Sequence, residues 1–267
     1  MDAGRNLIIQ YCVAADAKQF ARQAAQYFCE MASEAAEAQD RARIALSGGS
    51  TPQAAFEMLA DRSEPWRQHM PWNLLDLFWV DERAVAPDSA ESNYRMTRAA
   101  LLDHVSLGAE QIHRIEGELE PEAAAARYES ELRAEFHLRE FAYPRFDLVA
   151  LGLGEDGHTA SLFPHTAALG ETRRLVVANY APQKDAWRIT LTWPVINHAR
   201  SVFFLVAGAE KAAIVREVFT GPRDPERLPA QLIWPESGVL TLILDQAAAA
   251  LLPATDRAGR GILERKR

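Results

Sequence analysis

The residues with the clearest capacity for chemistry lie in the segment 152–161, which reads GLGEDGHTAS. Asp156 and His158 are separated by a single residue in this glycine-rich stretch. A carboxylate at that spacing can orient or charge-stabilise an imidazole, and imidazole, with an ordinary pKa of about 6.5, suits general acid or base catalysis. The pair therefore indicates an acid–base site, with a structural histidine as the alternative.

The same segment matches the GxGxxG spacing of dinucleotide-binding loops, which follow a strand and open a helix. Pro164 interrupts the stretch that would have to form this helix. The next apolar run ends at Asn179 without the acidic residue that would hold a ribose. We therefore reject a dinucleotide-binding fold.

A second candidate site is the run SGGSTP at positions 47–52, directly after an apolar run. Its glycines allow the backbone to approach a ligand closely, and a helix beginning near Pro52 presents free N–H groups and the positive end of its dipole. The run lacks the GxxxxGK[ST] pattern of a P-loop and the second glycine of a GxSxG nucleophile elbow. It predicts a phosphate cradle, with a simple glycine turn and helix cap as the alternative. The expected phosphate-binding residues are Gly48, Gly49, Ser50 and Thr51.

Charged residues mark other predicted strand ends. Asp81, Glu82 and Arg83 follow the apolar run 74–80 and deliver two carboxylates and a guanidinium to one place, for which a surface ion-pair cluster is the alternative. Lys211 lies in the first turn of a predicted helix, where a cation is unfavourable unless an anion binds beside it. Arg188 is a weaker candidate, because it begins its strand rather than following it.

These residues need secondary structure that brings them to one place. Short apolar runs alternate with segments of helical periodicity, which predicts an α/β fold. Runs without in/out alternation indicate strands buried on both faces. We therefore expect one domain over residues 1–267, an open, mostly parallel sheet with helices on both faces, Rossmann-like and modified by extra strands. The predicted strands are 7–9, 43–46, 75–80, 146–151, 175–178, 188–192, 202–207 and 239–244, and the predicted helices are 17–37, 52–61, 93–104, 121–140, 210–219 and 246–251.

Such a sheet binds ligands at the carboxyl ends of its strands, where the candidate residues lie. Several predicted strand ends would therefore point phosphate-binding and acid–base groups toward one rim. Arg83, Arg188 and Lys211, with a helix N-terminus, are expected to form one positive pocket in an otherwise acidic surface.

The composition excludes several classes of protein. With 48% hydrophobic and 25% charged residues the chain is typical of a globular protein, and its net charge of −8 gives no general attraction to nucleic acid or anionic lipid. A small anion is still permitted, because charges beyond about 8 Å are largely screened at physiological salt. The longest apolar run, 201–209, is too short to cross a membrane, and the N-terminal residues lack the features of a signal peptide. We expect a cytoplasmic protein.

The remaining features predict ordinary structural roles. Cys12 and Cys29 are spaced neither as a CxxC motif nor for zinc, so we expect buried free thiols and no metal. Residues 221–235, rich in proline and charge, are expected to form a long surface connection. The basic tail, 257–267, is expected to be mobile or packed at an edge.

The sequence resembles the 6-phosphogluconolactonase family, within the wider group that includes glucosamine-6-phosphate deaminase. The shared pieces occur in the family's order between Leu46 and Lys211, and the GLGEDGHTASLFP string is the most specific of them. The pieces are LSGGSTP, WVDER followed by Ser92-Asn93, FDLVALGLGEDGHTASLFP, RITLTWPVIN and VAGAEK.

The resemblance implies hydrolysis of 6-phospho-D-glucono-1,5-lactone to 6-phospho-D-gluconate, in the oxidative pentose phosphate pathway, with no metal or organic cofactor. The expected partner is the sugar-phosphate lactone alone, without nucleic acid or membrane, bound to a monomer or a weak homodimer.

The corresponding hypothesis assigns a role to each candidate residue. His158 is expected to be the general base for water, Asp156 to orient its imidazole, and Arg83 to stabilise the developing oxyanion. The other expected binding residues, besides those of the glycine cradle, are Asp81, Arg188 and Lys211.

Two other functions stay open from the sequence. A glucosamine-6-phosphate deaminase or related sugar-phosphate isomerase resembles this chain through Asp-Gly-His, but continues with phenylalanine, asparagine and glutamate. Here the loop continues with residues 161–164, SLFP, and that glutamate is missing. A sugar-phosphate sensor without catalysis would retain the cradle and Lys211 but could dispense with His158.

Overall fold

Most of the apolar runs of the sequence form strands of one central sheet in the computed structural model, which describes residues 7–265. The strands are β1 (Leu7–Ala14), β2 (Ala42–Leu46), β3 (Leu75–Trp79), β4 (Asp81–Arg83), β5 (Ile112–His113), β6 (Leu148–Leu151), β7 (Val176–Ala181), β8 (Ala186–Leu191), β9 (Ser201–Val206), β10 (Val239–Asp245) and β11 (Arg260–Arg265). The central sheet has the strand order β11-β1-β10-β9-β6-β2-β3-β5. Neighbouring strands are parallel throughout, except that β11 pairs antiparallel with β1 at one edge. The predicted open, mostly parallel α/β sheet is thus confirmed.

The strands β3, β6 and β9 are buried at every position, as expected for parallel strands that are covered on both faces. The helices that begin at Ala17 and Asn93 start at polar caps: Asp16 accepts a hydrogen bond from Gln19 N, and Ser92 accepts one from Arg95 N. The helices are α1 (Ala17–Gln39), α2 (Ser50–Ala60), α3 (Trp66–His69), α4 (Asn93–Ala100), α5 (Pro121–Glu135), α6 (Trp193–Asn197) and α7 (Ala212–Thr220). Within residues 7–265, no helix is both long and apolar enough to span a membrane.

A second, antiparallel sheet was not expected and has the order β4-β8-β7. Residues 81–83 were predicted to be the polar end of the preceding strand, but they leave the central sheet and form β4 of this second sheet. Tyr128 holds the chain where it passes from the central sheet to the second sheet. Its hydroxyl donates to Trp79 O at 2.9 Å and accepts from Trp79 N at 3.0 Å. In the β4–β8 pair Arg83 is registered with Arg188.

Other expectations need correction. The predicted helix over 246–251 is a series of turns: Asp245 accepts a hydrogen bond from Ala248 N at the first turn, but Pro253 leaves too short a stretch for a helix. The elements β5, β11, α3 and α6 were not predicted, since each is short or packed at an edge.

The segment 221–235 is more than a surface connection, because it contains a buried 3-10 turn at Pro229–Leu232. The basic tail is packed at an edge as β11. Cys12 and Cys29 are free, with Cys29 buried and Cys12 partly buried. The first six residues, which belong to the N-terminal stretch expected not to be a signal peptide, and the last two of the tail lie outside the described residues.

Candidate active site

A cavity of about 430 Å³ lies where β2, β3, β6 and β9 end. Its walls come from the loops after these strands and from the second sheet, so the fold brings distant parts of the chain to one rim. Of the ten residues predicted to form the site, only Asp156 is not part of the wall. The other nine all line the cavity: Gly48, Gly49, Ser50, Thr51, Asp81, Arg83, His158, Arg188 and Lys211.

The glycine cradle, residues 47–51, joins β2 to α2 along one wall. Ser47 anchors it by donating from Oγ to Ala150 O at 2.8 Å, and Gly49 adopts a φ of +111°, which favours glycine. At Gly48 a Cβ atom would lie 1.7 Å from Oδ1 of Asn93, so a side chain there is excluded. Because α2 begins at Ser50, the N–H groups of its first turn point free of the helix and can bind an anion.

The loop of residues 152–161 carries the expected base His158, is called the catalytic loop below, and follows β6 on the neighbouring wall. It is a tight turn in which Gly154 N donates to His158 O at 2.9 Å and Gly157 N donates to Gly154 O at 3.0 Å. Thr159 closes the turn by donating from Oγ1 to Gly152 O at 2.8 Å. A Cβ on Gly154 would lie 2.0 Å from His158 Nδ1, so glycine is required for the histidine ring to sit where it does.

His158 and Asp156 form the predicted imidazole–carboxylate pair. Nδ1 of His158 lies 2.5 Å from Oδ1 of Asp156, and the same oxygen accepts from the His158 backbone N–H at 3.1 Å. Partial burial opposes ionisation of Asp156, but these hydrogen bonds and the adjacent imidazole outweigh it and lower the pKa of Asp156. The bond at Nδ1 fixes the ring against Phe163, with ring centroids 4.4 Å apart, and leaves Nε2 unengaged by the carboxylate. This arrangement can accept a proton at Nε2.

The cations come from three separate elements. Arg83 on β4 and Arg188 on β8 lie on adjacent strands, and Arg83 also donates from Nη1 to Glu91 O. Burial and the neighbouring Arg83 lower the pKa of Arg188. Lys211 ends a 3-10 turn before α7 rather than standing within the helix, and its Nζ lies 3.9 Å from Oε1 of Glu155.

Arg188 lines the cavity although it precedes the end of its strand. The rule that ligands lie at carboxyl ends applies to the parallel sheet, whereas β8 belongs to the antiparallel one. Lys184, on the turn between β7 and β8, also lines the cavity and was missed, because a lone lysine in a turn gives no sequence signal.

A buried polar network under the cavity was also missed. Ser161 donates from Oγ to Oδ2 of Asp81 at 2.6 Å, and Asn93 donates from Nδ2 to Asp81 O at 2.9 Å. Ser92-Asn93 was noted only as part of a motif, and Ser161 only as a departure from the deaminase pattern. Their contacts join positions many residues apart in the chain, so spacing alone could not reveal them.

Next to this network, the buried carboxylate of Glu82 binds the residues at the start of α4. Its carboxylate accepts from the backbone N–H groups of Arg83, Asn93 and Tyr94, each at 2.8 Å, and from Ser92 Oγ at 3.0 Å. Burial raises its pKa even though these donors oppose the change. Glu82 therefore fixes the start of α4 and does not line the cavity. Among residues 7–265, no cluster of three or more histidine, cysteine, aspartate or glutamate side chains could hold a metal ion.

The fold and site together define an α/β protein with a glycine cradle beside an imidazole–carboxylate pair at the carboxyl ends of parallel strands. Residues 15–242 match the family described as glucosamine-6-phosphate isomerases/6-phosphogluconolactonase. The chain belongs to this family.

Relatives within this family that are similar in sequence to the chain are described as 6-phosphogluconolactonases. The chain is 45% identical over 212 residues to a 6-phosphogluconolactonase of Synechocystis sp., a match that covers 79% of this chain and 85% of the relative. It is 40% identical over 211 residues to a 6-phosphogluconolactonase of Haemophilus influenzae, covering 78% of this chain and 87% of the relative.

Solved structures similar to the fold of this chain are also described as 6-phosphogluconolactonases. The 6-phosphogluconolactonase of Trypanosoma brucei superposes with a TM-score of 0.78 at 28% identity, over 91% of this chain and 98% of that one. The protein from Thermotoga maritima, also described as a 6-phosphogluconolactonase, gives a TM-score of 0.75 at 26% identity, over 89% and 99% of the two chains.

Proposed function

We propose that this chain hydrolyses 6-phospho-D-glucono-1,5-lactone to 6-phospho-D-gluconate, with His158 as the general base that activates water. The observation that carries the proposal is the 2.5 Å contact between His158 Nδ1 and Asp156 Oδ1 at the wall of a cavity that also contains the glycine cradle. The names of the relatives in the family support the same reaction.

The reaction needs little beyond a positioned water and a base, because a lactone is an activated ester. His158 takes a proton at Nε2 from the water as its oxygen forms a bond to C1 of the lactone. The C1–ring oxygen bond then breaks, and His158 returns the proton to the departing ring oxygen. Asp156 orients the ring and stabilises the imidazolium that exists between these two steps.

The cations have separate roles in this proposal. Arg83 stabilises the negative charge that develops on the carbonyl oxygen in the tetrahedral intermediate. The phosphate lies on the N–H groups of Gly49, Ser50 and Thr51 and is neutralised by Arg188 and Lys211. Charge-assisted contacts of this kind contribute roughly 1.5 to 3 kcal/mol each.

Asp81 completes the substrate site as an acceptor for a sugar hydroxyl. One of its oxygens, Oδ2, already accepts from Ser161 Oγ, while Oδ1 lies 3.5 Å from Asn93 Nδ2, a longer contact that leaves it able to accept more strongly from a ligand. The small-molecule partner is thus a phosphorylated sugar lactone, bound at both its phosphate and its hydroxyls.

One assay separates this function from its alternatives. The protein is incubated with freshly generated 6-phosphogluconolactone and, separately, with glucosamine 6-phosphate, while acid release and ammonia are followed. Acid release above the spontaneous rate from the lactone, with no ammonia, is the expected result. Ammonia release would indicate a deaminase, and binding of the lactone without acceleration would indicate a sensor; either outcome contradicts the proposal.

A further inference from the structure

The supporting segment, residues 221–235, lies directly beneath the catalytic loop. Ala230 N donates to the backbone oxygen of Gly157 at 2.9 Å, and Gly157 directly precedes His158 in the chain. Leu228, which is 1% exposed, fills the space under Gly157: a Cβ there would lie 2.6 Å from Leu228 Cδ2. The turn that presents the histidine ring is therefore seated on this segment by one hydrogen bond and one apolar contact.

The segment is held in shape by Gln231, whose side chain is fully buried. Its Oε1 accepts from Asp224 N at 2.5 Å, and its Nε2 donates to Pro222 O at 2.9 Å and to Glu217 O at 3.2 Å. Its backbone N–H donates to Leu228 O at 2.8 Å. One amide side chain thus closes the segment on itself and ties it to the end of α7.

The C-terminal strand reaches the same residue. The backbone oxygen of Gln231 accepts from Arg223 Nη1 at 3.0 Å and from Arg265 Nη2 at 3.1 Å. Arg265, on β11, is 6% exposed and lies over the ring of Trp234, with 5.7 Å between its Cζ and the ring centroid. Burying a guanidinium is costly unless it is hydrogen-bonded, so this contact fixes Gln231 from the far edge of the sheet.

We propose that Gln231 is a positioning residue for lactone hydrolysis, acting through Ala230 and Leu228 on the catalytic loop that carries Asp156 and His158. The inference rests on the proposed function, since it needs His158 to be the base. The glycine cradle is built on β2 and α2 and is anchored through Ser47 to β6, without a hydrogen bond from the supporting segment in the described structure. Loss of Gln231 should therefore misplace the base and leave the glycine cradle that holds the phosphate intact.

The test uses two variants of the full chain that weaken the support in different ways. Gln231→Met removes the amide at nearly constant size, and Leu228→Ala removes the apolar contact beneath Gly157 while leaving the amide of Gln231 in place. Tyr27→Phe is the matched control, because it removes hydrogen bonds to Ser201 and Thr241 near the amino ends of β9 and β10, away from the cavity. For each protein kcat, KM, the Kd of inorganic phosphate by calorimetry and the melting temperature are measured.

We expect kcat to fall roughly tenfold to a hundredfold in both supporting-segment variants, as small displacements of a catalytic group do, while the Kd of phosphate is unchanged. Tyr27→Phe should lower only the melting temperature. A kcat that stays at the wild-type value in Leu228→Ala and Gln231→Met overturns the inference. A parallel loss of kcat and phosphate binding overturns it too, because that pattern indicates general structural damage.

Two further outcomes are distinguishable. If Gln231→Met does not fold, Leu228→Ala carries the same prediction alone. His158→Asn is measured beside them: wild-type turnover there refutes both the proposed function and the positioning role. A slow His158→Asn with fully active supporting-segment variants refutes the positioning role alone.

Discussion

Arg83 and Arg188 lie directly opposite each other across the antiparallel pair of β4 and β8, and both line the cavity. Like charges at such positions destabilise a sheet. Burial and the positive charge of Arg83 together lower the pKa of Arg188. The lowered pKa has the same physical cause as the repulsion, because both arise from holding two positive charges close together. We expect the lactone to relieve this repulsion when it binds, because in the proposed site its developing oxyanion lies beside Arg83 and its phosphate lies beside Arg188.

This relationship predicts opposite effects of Arg188→Gln on stability and binding. Removing one like charge should stabilise the free protein by about 0.2–1 kcal/mol, while KM for the lactone rises about tenfold or more through loss of a charge-assisted contact. Thermal unfolding with and without phosphate, together with steady-state kinetics, measures both effects. Arg216→Gln, an exposed change of equal charge on α7, is the control. A variant less stable than the wild type, with unchanged KM, contradicts the prediction.

Lys211 gives a second prediction about the phosphate. Lys211→Ala should raise KM roughly tenfold to a hundredfold and leave kcat little changed, because the lost contact is far from the scissile bond and is made equally in the ground and transition states. Steady-state kinetics with the lactone give both constants. An unchanged KM would remove this lysine from the phosphate site.

Glu155 provides a prediction of opposite sign. Its carboxylate, 69% exposed, lies 3.9 Å from Nζ of Lys211 and so competes with an incoming phosphate. We expect Glu155→Gln to lower KM about twofold to fivefold, since an exposed ion pair contributes about 0.2–1 kcal/mol. Glu34→Gln, a surface change on α1, controls for net charge. A KM that rises in Glu155→Gln while Glu34→Gln is unaffected would show that the carboxylate assists binding instead.

Glu171 predicts a pH dependence of stability away from the cavity. Burial opposes its ionisation, but hydrogen bonds from the backbone N–H groups of Arg173 and Arg174 and from the Arg174 guanidinium outweigh it and lower the pKa of Glu171 from 4.5 to about 2. Because the folded chain holds this proton more weakly than the unfolded chain, the ionised group stabilises the fold above pH 4.5 and this stabilisation is lost as the pH falls toward 2.

The corresponding measurement is urea unfolding of Glu171→Gln and wild type as a function of pH. The variant should be less stable at neutral pH by about 1 kcal/mol, since solvent screens a partly exposed carboxylate. This difference should shrink as the pH falls below 4.5. A difference that is constant with pH would mean that the side chain acts through packing and not through charge.

The sequence was most informative where function and local structure share a short motif. The strands beside the cradle and the catalytic loop are marked by apolar runs, and the polar residues after them need only the parallel-sheet rule to be placed on one rim. Gly154 must be glycine because it lies close to His158, and Gly48 because it lies close to Asn93. From the motif we expected the glycines only to let a ligand approach the backbone.

What the sequence did not reveal depends on pairing between distant segments. β4 is three residues long, and its strand character comes from β8, which lies more than a hundred residues further along the chain. Gln231 lies in a stretch whose proline and charge content indicates a surface loop. Its buried amide nevertheless hydrogen-bonds to the backbone of Asp224 and Pro222, and no local sequence pattern predicts these contacts. Such contacts follow from tertiary packing, which overrides local composition.

The most direct test of His158 as the base for lactone hydrolysis is the rate of acid release from freshly generated 6-phosphogluconolactone by the wild type and by His158→Asn. Circular dichroism and melting temperature establish that both proteins are folded, and the spontaneous rate is subtracted. We expect kcat to fall by about two to four orders of magnitude in the variant, with its fold retained. Turnover of the variant near the wild-type rate would contradict the role of His158 as the base.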